Sequence, residues 1–268
     1  MHQLTIGFIG GGNMAEALIA GLTKAGHPAG RIVVNDLQAA RLEYLRERYG
    51  ITTEKDAAAL AAMADMLVLA VKPQHMRQAV SAVEGHLNPA ATLVSIAAGI
   101  AVASIKQWLD APASVVRVMP NTPCLLGAGM SVLYADSRVT DAHRQRAEYV
   151  LAATGETAWV EDEQQMHAVT AISGSGPAYF FLLAEIMQGT ATALGLDEAL
   201  AAKLVRQTAL GAGRMMADSG IDVPTLRQQV TSPGGTTHAA IDCMHDCGLA
   251  DAVRKGVQAA AQRSRELG

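Results

Sequence analysis

Aromatic side chains are scarce, at 4% of the 268 residues, so the interior has to be filled by Ala, Val, Leu, Ile and Met. Those residues suit helices laid closely on a parallel sheet. Cysteine is scarcer still: Cys124, Cys243 and Cys247 are too few, and odd in number, for a disulfide framework, and they fit free thiols in a reducing compartment. Positive charge is not in excess either. With 21 Lys and Arg against 25 Asp and Glu the formal net charge is −4, which speaks against nucleic acid as a partner. Met1-His2-Gln3-Leu4 lacks the basic and apolar regions of a signal peptide, and no uninterrupted apolar run reaches the roughly 18 residues of a membrane span. The expectation is a cytoplasmic protein with no membrane partner. What the chain does have is apolar mass: 50% of its residues are hydrophobic and 17% charged, which excludes disorder. At about 150 residues per domain, its length allows one large domain or two modest ones.

The pattern along the chain changes once. Leu4 to Ile9, Arg31 to Asn35, Met66 to Val71, Ala91 to Ile96, Val115 to Met119 and Thr157 to Val160 read as β-rich runs. Helical spacing separates them over Met14 to Ala25, Leu37 to Tyr49, Pro73 to Leu87 and Ser104 to Leu109. Strand-helix alternation predicts an α/β fold, a doubly wound parallel sheet with helices on both faces. Beyond Val160 no strand is expected. Candidate helices cover Glu163 to Ile172, Gly176 to Leu194, Asp197 to Asp218, Pro224 to Val230, Thr236 to Cys247 and Leu249 to Glu266. The expected domains are therefore 1–162, a sheet domain, and 163–268, an all-α domain. Several of these helices are apolar around much of their circumference, which predicts that a second subunit covers part of them.

Gly10-Gly11-Gly12-Asn13-Met14-Ala15 stands between the first strand and the first helix and matches G-x-G-x-x-A. Gly10 permits the tight turn, Gly12 lets a pyrophosphate approach the backbone, and Ala15 lets the helix pack closely. The helix start presents unpaired N–H groups to the anion. The pattern predicts a dinucleotide site. Asn35-Asp36 ends the second strand, where a carboxylate can accept from both ribose hydroxyls of NAD and would repel the 2′-phosphate of NADP. Asp36 reads alternatively as a helix N-cap or turn residue, and Arg41 could reach a phosphate from one turn into the next helix, so cofactor choice stays open. Ala70-Val71-Lys72-Pro73, Ser95-Ile96-Ala97-Ala98-Gly99 and Met119-Pro120-Asn121-Thr122-Pro123 end later strands at the edge where ligands bind in an open sheet. Each is a weak signal alone.

In the second domain, Ser173-Gly174-Ser175-Gly176-Pro177-Ala178-Tyr179 and Thr231-Ser232-Pro233-Gly234-Gly235-Thr236-Thr237 each precede an apolar helix. Both are candidate anion sites at helix starts, and both read alternatively as plain caps and turns. Cys243 and Cys247 lie one turn apart near His238 and His245, but without a second Cys pair the spacing favours a packed helix and no metal.

Together these strings, from Gly7-Phe8-Ile9 through Thr237, resemble pyrroline-5-carboxylate reductase over essentially the whole chain. The resemblance implies reduction of 1-pyrroline-5-carboxylate to L-proline with NADPH or NADH, the last step of proline biosynthesis. It further implies a Rossmann domain followed by a helical domain that interlocks in a homodimer, with assembly into decamers in many members. Carried onto this chain, it puts the cofactor on Ile9, Gly10, Gly11, Gly12, Asn13 and Met14, on Asn35 and Asp36, on Ala70, Val71, Lys72 and Pro73, and near Ala98 and Asn121. The substrate carboxylate falls on Ser232 and the N–H groups of Gly235 and Thr236, the Thr237 hydroxyl faces the ring nitrogen as the catalytic group, and Glu163 lies near the substrate. Asp36 departs from the small, hydroxyl or basic residues that members preferring NADPH often carry.

Two other readings share the first motif. A β-hydroxyacid dehydrogenase would need a catalytic Lys on the first long helix of the second domain, and Gly176 to Leu183 contains none. A protein that senses NAD(P) without turnover would share the fold, because fold alone does not set activity.

Overall fold

The computed structural model describes residues 1–109 and 112–267. Their contacts form two compact units, one of Met1–Ser175 with the C-terminal residues from Ala260 onward, the other of Gly176–Ala259. The division falls after the change of pattern at Val160 because Met166, His167 and Ala171 are buried in the first unit, where the His167 ring meets Ser264 Oγ at 3.0 Å.

In the first unit β1 (Ile6–Ile9), β2 (Ile32–Asn35), β3 (Thr52–Thr53), β4 (Met66–Leu69), β5 (Thr92–Ser95), β6 (Ser114–Met119), β7 (Gly129–Ala135) and β8 (Gly155–Val160) make one eight-stranded sheet. Its order is β3-β2-β1-β4-β5-β6-β7-β8. Every pairing is parallel except that of β6 with β7, where Val116 faces Ala135 and Met119 faces Val132. This corrects the expectation of a uniformly parallel sheet. A parallel return needs a crossover of about a dozen residues or more, and the link between β6 and β7 is too short, so the chain doubles back through a 3₁₀ turn at Thr122–Leu126.

Helices α1 (Asn13–Lys24), α2 (Ala39–Tyr49), α3 (Ala57–Met63), α4 (Met76–Ser81), α5 (Val102–Leu109) and α6 (Asp141–Ala152) cover the sheet. Ile6, Phe8, Val34 and Val68 pack with Leu18 and Leu22 of α1, Leu45 of α2 and Leu151 of α6. A second cluster joins Ile9, Leu67, Leu69 and Leu93 to Leu60 of α3, Val80 of α4 and Ile105 of α5. β1, β2, β4 and β5 are consequently buried at every position, which accounts for their unbroken apolar runs.

After β8 the described residues are helical: α7 (Gln165–Val169), a π-helical turn at Thr170–Gly174, α8 (Gly176–Ala193), α9 (Glu198–Asp218), α10 (Val223–Gln229), α11 (Thr236–Asp246) and α12 (Leu249–Glu266). Asp197 caps α9 by accepting from Ala199 N and Leu200 N, and Asp222 caps α10 by accepting from Thr225 N. In the second unit α8 packs on α9, yet Gly176 is the one residue of α8 that is buried, and Phe180 and Phe181 are 65% and 66% exposed. The helical stretch Gln165–Ala193 is also long and apolar enough, by length and composition, to cross a membrane. It is not an uninterrupted apolar run, because His167 and Glu185 punctuate a stretch that is apolar on average.

Candidate active site

Register decides what the sheet presents at its carboxyl edge. Asn35, Ile9, Leu69 and Ser95 stand side by side on β2, β1, β4 and β5, so the turns that follow them line one rim. The tightest turn is Gly10. Its φ is +96°, and a Cβ there would lie 2.7 Å from Ala70 O, while its N–H donates to Asn35 O at 2.8 Å. Ala70 N in turn donates to Ile9 O at 2.8 Å. Gly11 is buried against Leu45 and Asp36. Gly12, the residue that caps α1, is exposed, and a Cβ built on it meets nothing within 4 Å. Open space therefore faces the start of α1, where Asn13 is exposed and Met14 half-buried, and where first-turn N–H groups have no intrahelical acceptor. These residues fit a pyrophosphate.

Asp36 turns back onto that motif. Its Oδ2 accepts from Gly11 N at 2.7 Å and its Oδ1 from Gln38 N at 2.8 Å, so it braces the glycine turn from the tip of β2. Asn35 is buried, and its amide nitrogen donates to Glu54 O and Lys55 O, a structural role that its sequence context does not reveal. Arg41 spends its guanidinium on Gly11 O and on Glu16, which also accepts from Tyr44 and Tyr49. Burial raises the Glu16 carboxyl, but the hydrogen bonds from Arg41, Tyr49 and Tyr44 outweigh it and hold the group below the ordinary glutamate range.

Farther along the rim, Val71 and Ala70 are half-buried and Lys72 is exposed ahead of a 3₁₀ turn begun by Pro73. Ala98 is half-buried in the turn after β5. Asn121 is buried, and both ends of its amide are engaged: the nitrogen donates to Ser173 O at 3.1 Å and the oxygen accepts from Met130 N at 2.9 Å. It therefore staples β7 and the π-helical turn. Glu163 accepts at Oε1 from Arg117 at 3.0 Å and from Val102 N, at the start of α5, at 2.8 Å. Arg117 is 2% exposed in the middle of β6 and was missed by sequence reasoning; its signal is a lone charge in the apolar string Val115-Val116-Arg117-Val118.

In the second unit Gly235 caps α11, and its own N–H closes a turn on Ser232 O at 3.0 Å. Ser232 and Thr236 are exposed and Thr237 half-buried. Gly235, expected to offer its N–H to a carboxylate, thus already donates within the turn, whereas Thr236 and Thr237 occupy first-turn positions whose N–H groups lack intrahelical acceptors. At the other candidate helix start the π-helical turn Thr170–Gly174 runs up to Ser175, one residue before α8 begins; Ser175 N donates to Thr170 O at 2.8 Å and Ser173 Oγ to Val169 O at 3.1 Å, so both groups are engaged by residues ahead of α8. Cys243 and Cys247 are exposed, and among the described residues no group of three His, Cys, Asp or Glu is placed to hold a metal ion.

Two family models match the chain: pyrroline-5-carboxylate reductase dimerisation over residues 163–267, and NADP oxidoreductase coenzyme F420-dependent over residues 5–99. Pyrroline-5-carboxylate reductase of Pseudomonas aeruginosa is 46% identical over 267 residues, covering 100% of this chain and 98% of that protein. The chain belongs to the pyrroline-5-carboxylate reductase family. Solved structures of the family agree: that of Coxiella burnetii superposes with a TM-score of 0.93 at 38% identity, covering 99% of this chain and 98% of the other. The Plasmodium falciparum structure, solved with NADP bound, gives a TM-score of 0.89 at 27% identity, with 100% and 99% covered. Like its family, the chain is an NAD(P)H-dependent oxidoreductase with a Rossmann-type sheet and a helical C-terminal region.

Proposed function

We propose that the chain reduces the C=N bond of 1-pyrroline-5-carboxylate to L-proline, the last step of proline biosynthesis, with NADPH or NADH, in the cytoplasm. A bound nicotinamide supplies the hydride. The chain's own task is to hold two anions in one orientation without adding a group that titrates. The start of α1, with Ile9 to Met14, takes the pyrophosphate; Asp36 serves the ribose; Ala70 to Pro73 and Ala98 border the remainder of the cofactor. Asn35 and Asn121 act from behind, through the backbone they fix. Ser232 and the N–H groups at the start of α11 hold the substrate carboxylate, with Gly235 shaping the turn. Thr237 directs its hydroxyl to the ring nitrogen, and Glu163 is a carboxylate kept in place by Arg117.

The observation that carries this reading is the Ser232–Gly235 turn, which closes on itself at 3.0 Å and leaves the first N–H groups of α11 for an anion. The test follows NADH and NADPH absorbance with 1-pyrroline-5-carboxylate. Thr237→Ala should lower kcat/KM by about 10-fold or more, the worth of a hydrogen bond near charge, with the cofactor Kd unchanged. An unchanged kcat/KM removes Thr237 from the site. The exposed apolar face of α8 belongs, on the same reading, under a second copy of the chain, making a homodimer that can assemble further into a decamer.

A further inference from the structure

His238 occupies the third position of α11, next to Thr237, and its two ring nitrogens have different partners. Nδ1 accepts from Gly234 N at 3.1 Å, and Nε2 lies 3.3 Å from Asp242 Oδ2, one helical turn on. An imidazole that accepts at Nδ1 carries its proton on Nε2, where a carboxylate can receive it, so a single neutral tautomer satisfies both contacts. The arrangement resembles a capping box, in which the side chain at the third helical position reaches back to a backbone N–H ahead of the helix. Here it reaches past the cap, Gly235, to Gly234, whose φ of +72° is open to glycine. Two successive N–H groups of the turn are thus turned inward, that of Gly235 onto Ser232 O and that of Gly234 onto His238.

We propose that His238, held in its Nδ1-accepting tautomer by Asp242, is a positioning residue for the substrate turn, fixing Gly234 so that Ser232 and the free N–H groups of α11 meet the substrate carboxylate in one arrangement. This rests on the reading of the Ser232 to Thr237 turn given above. Without the imidazole, Gly234 is free to rotate its N–H outward, and the turn samples orientations that hold the anion less well. His238 acts through Gly234, so its loss should weaken substrate binding and leave the hydride step almost intact.

Three variants separate the acceptor from the bulk of the side chain. His238→Asn keeps an acceptor where Nδ1 stood, His238→Leu keeps bulk with no acceptor, and His238→Ala removes both bulk and acceptor. With 1-pyrroline-5-carboxylate varied at saturating NADPH, KM should rise about 2- to 10-fold for the Ala and Leu variants, the range of one ordinary hydrogen bond. Their kcat should stay within about 2-fold and the NADPH Kd should not move. His238→Asn should return KM towards the parent value. An unchanged KM in the Ala variant overturns the proposal, and so does a KM rise in all three variants, Asn included, that tracks a fall in Tm, because that marks general loosening. Thr237→Ala, assayed alongside, tells the two failures apart. If it lowers kcat/KM while His238→Ala is silent, the positioning role alone fails. If both are silent, the turn is not the substrate site and both readings fall.

Discussion

Gly10 and Gly12 stand two residues apart and make different demands on the chain. Gly10 has φ +96°, and a Cβ there would lie 2.7 Å from a backbone oxygen. Gly10→Ala should therefore cost roughly 2–4 kcal/mol of stability as well as cofactor binding, visible as a lowered Tm without ligand. Gly12 has open space around it, so Gly12→Ala should fold with an unchanged Tm and still lose most NADH and NADPH affinity, measured by fluorescence titration. If Gly12→Ala binds both normally, the pyrophosphate does not pass over this turn. Asp36 supports a second prediction. Its carboxylate is half-buried at the tip of β2 and anchored by Gly11 N and Gln38 N, so a 2′-phosphate there meets a fixed negative charge. Arg41, the nearby cation, is engaged by Gly11 O and Glu16. Asp36→Ser should shift the ratio of kcat/KM values towards NADPH by about 10-fold or more, the scale of one unfavourable charge contact; an unmoved ratio would show that Asp36 does not read the ribose. The glycine turn was legible as sequence because its backbone demand is set by neighbours in the chain, whereas the hydrogen bond of Asp36 to Gly11 N joins residues 25 apart. Arg117, Asn121 and Asn35 were not legible in their actual contacts, because their partners, Glu163, Ser173 and Glu54, lie far away in sequence.

At the scale of elements, α1 and α2 are joined by Glu16, which receives Arg41, Tyr44 and Tyr49. Its folded-state pKa is depressed, so it stabilises the fold above its unfolded pKa and that contribution fades as pH falls through the unfolded value to the folded one. Glu16→Gln should cost about 1 kcal/mol near neutrality, and the difference in Tm from the parent should narrow as pH falls below the ordinary glutamate range. A constant difference would show that the carboxylate charge is not what the bonds exploit. The candidate helices of the C-terminal half lie within a few residues of the observed ones because Asp197, Asp222 and the Gly and Pro breaks mark their ends locally. The π-helical turn escaped, since Ser173-Gly174-Ser175-Gly176 looks locally like a loop, while Ser175 N finds Thr170 O five residues back. β7 escaped for a related reason: Pro120, Pro123 and Gly127 ahead of it read as loop, and its pairing with β6 and β8 is settled across the sheet.

For the molecule as a whole, the apolar surface of the second unit is the largest unmet demand. Phe180, Phe181, Leu182 and Ile186 are each more than half exposed on α8, within the region that matches the dimerisation family. Such a face is stable in water when another surface covers it. Light scattering should therefore give at least a dimer for the parent, while Phe180→Glu with Leu183→Glu should yield monomer or insoluble protein; a soluble monomeric parent would contradict the assignment. The amino-acid sequence by itself determined the class of fold, the dinucleotide turn and the order of the helices, because apolar period and glycine punctuation act over a few residues at a time. The tertiary structure alone decided that β7 runs antiparallel, that Arg117 is buried on Glu163, and that Gly235 and His238 spend their hydrogen bonds on the Ser232 turn. Each of those outcomes depends on which distant or opposing group arrives to satisfy a buried charge or a backbone N–H, and local pattern carries no record of that.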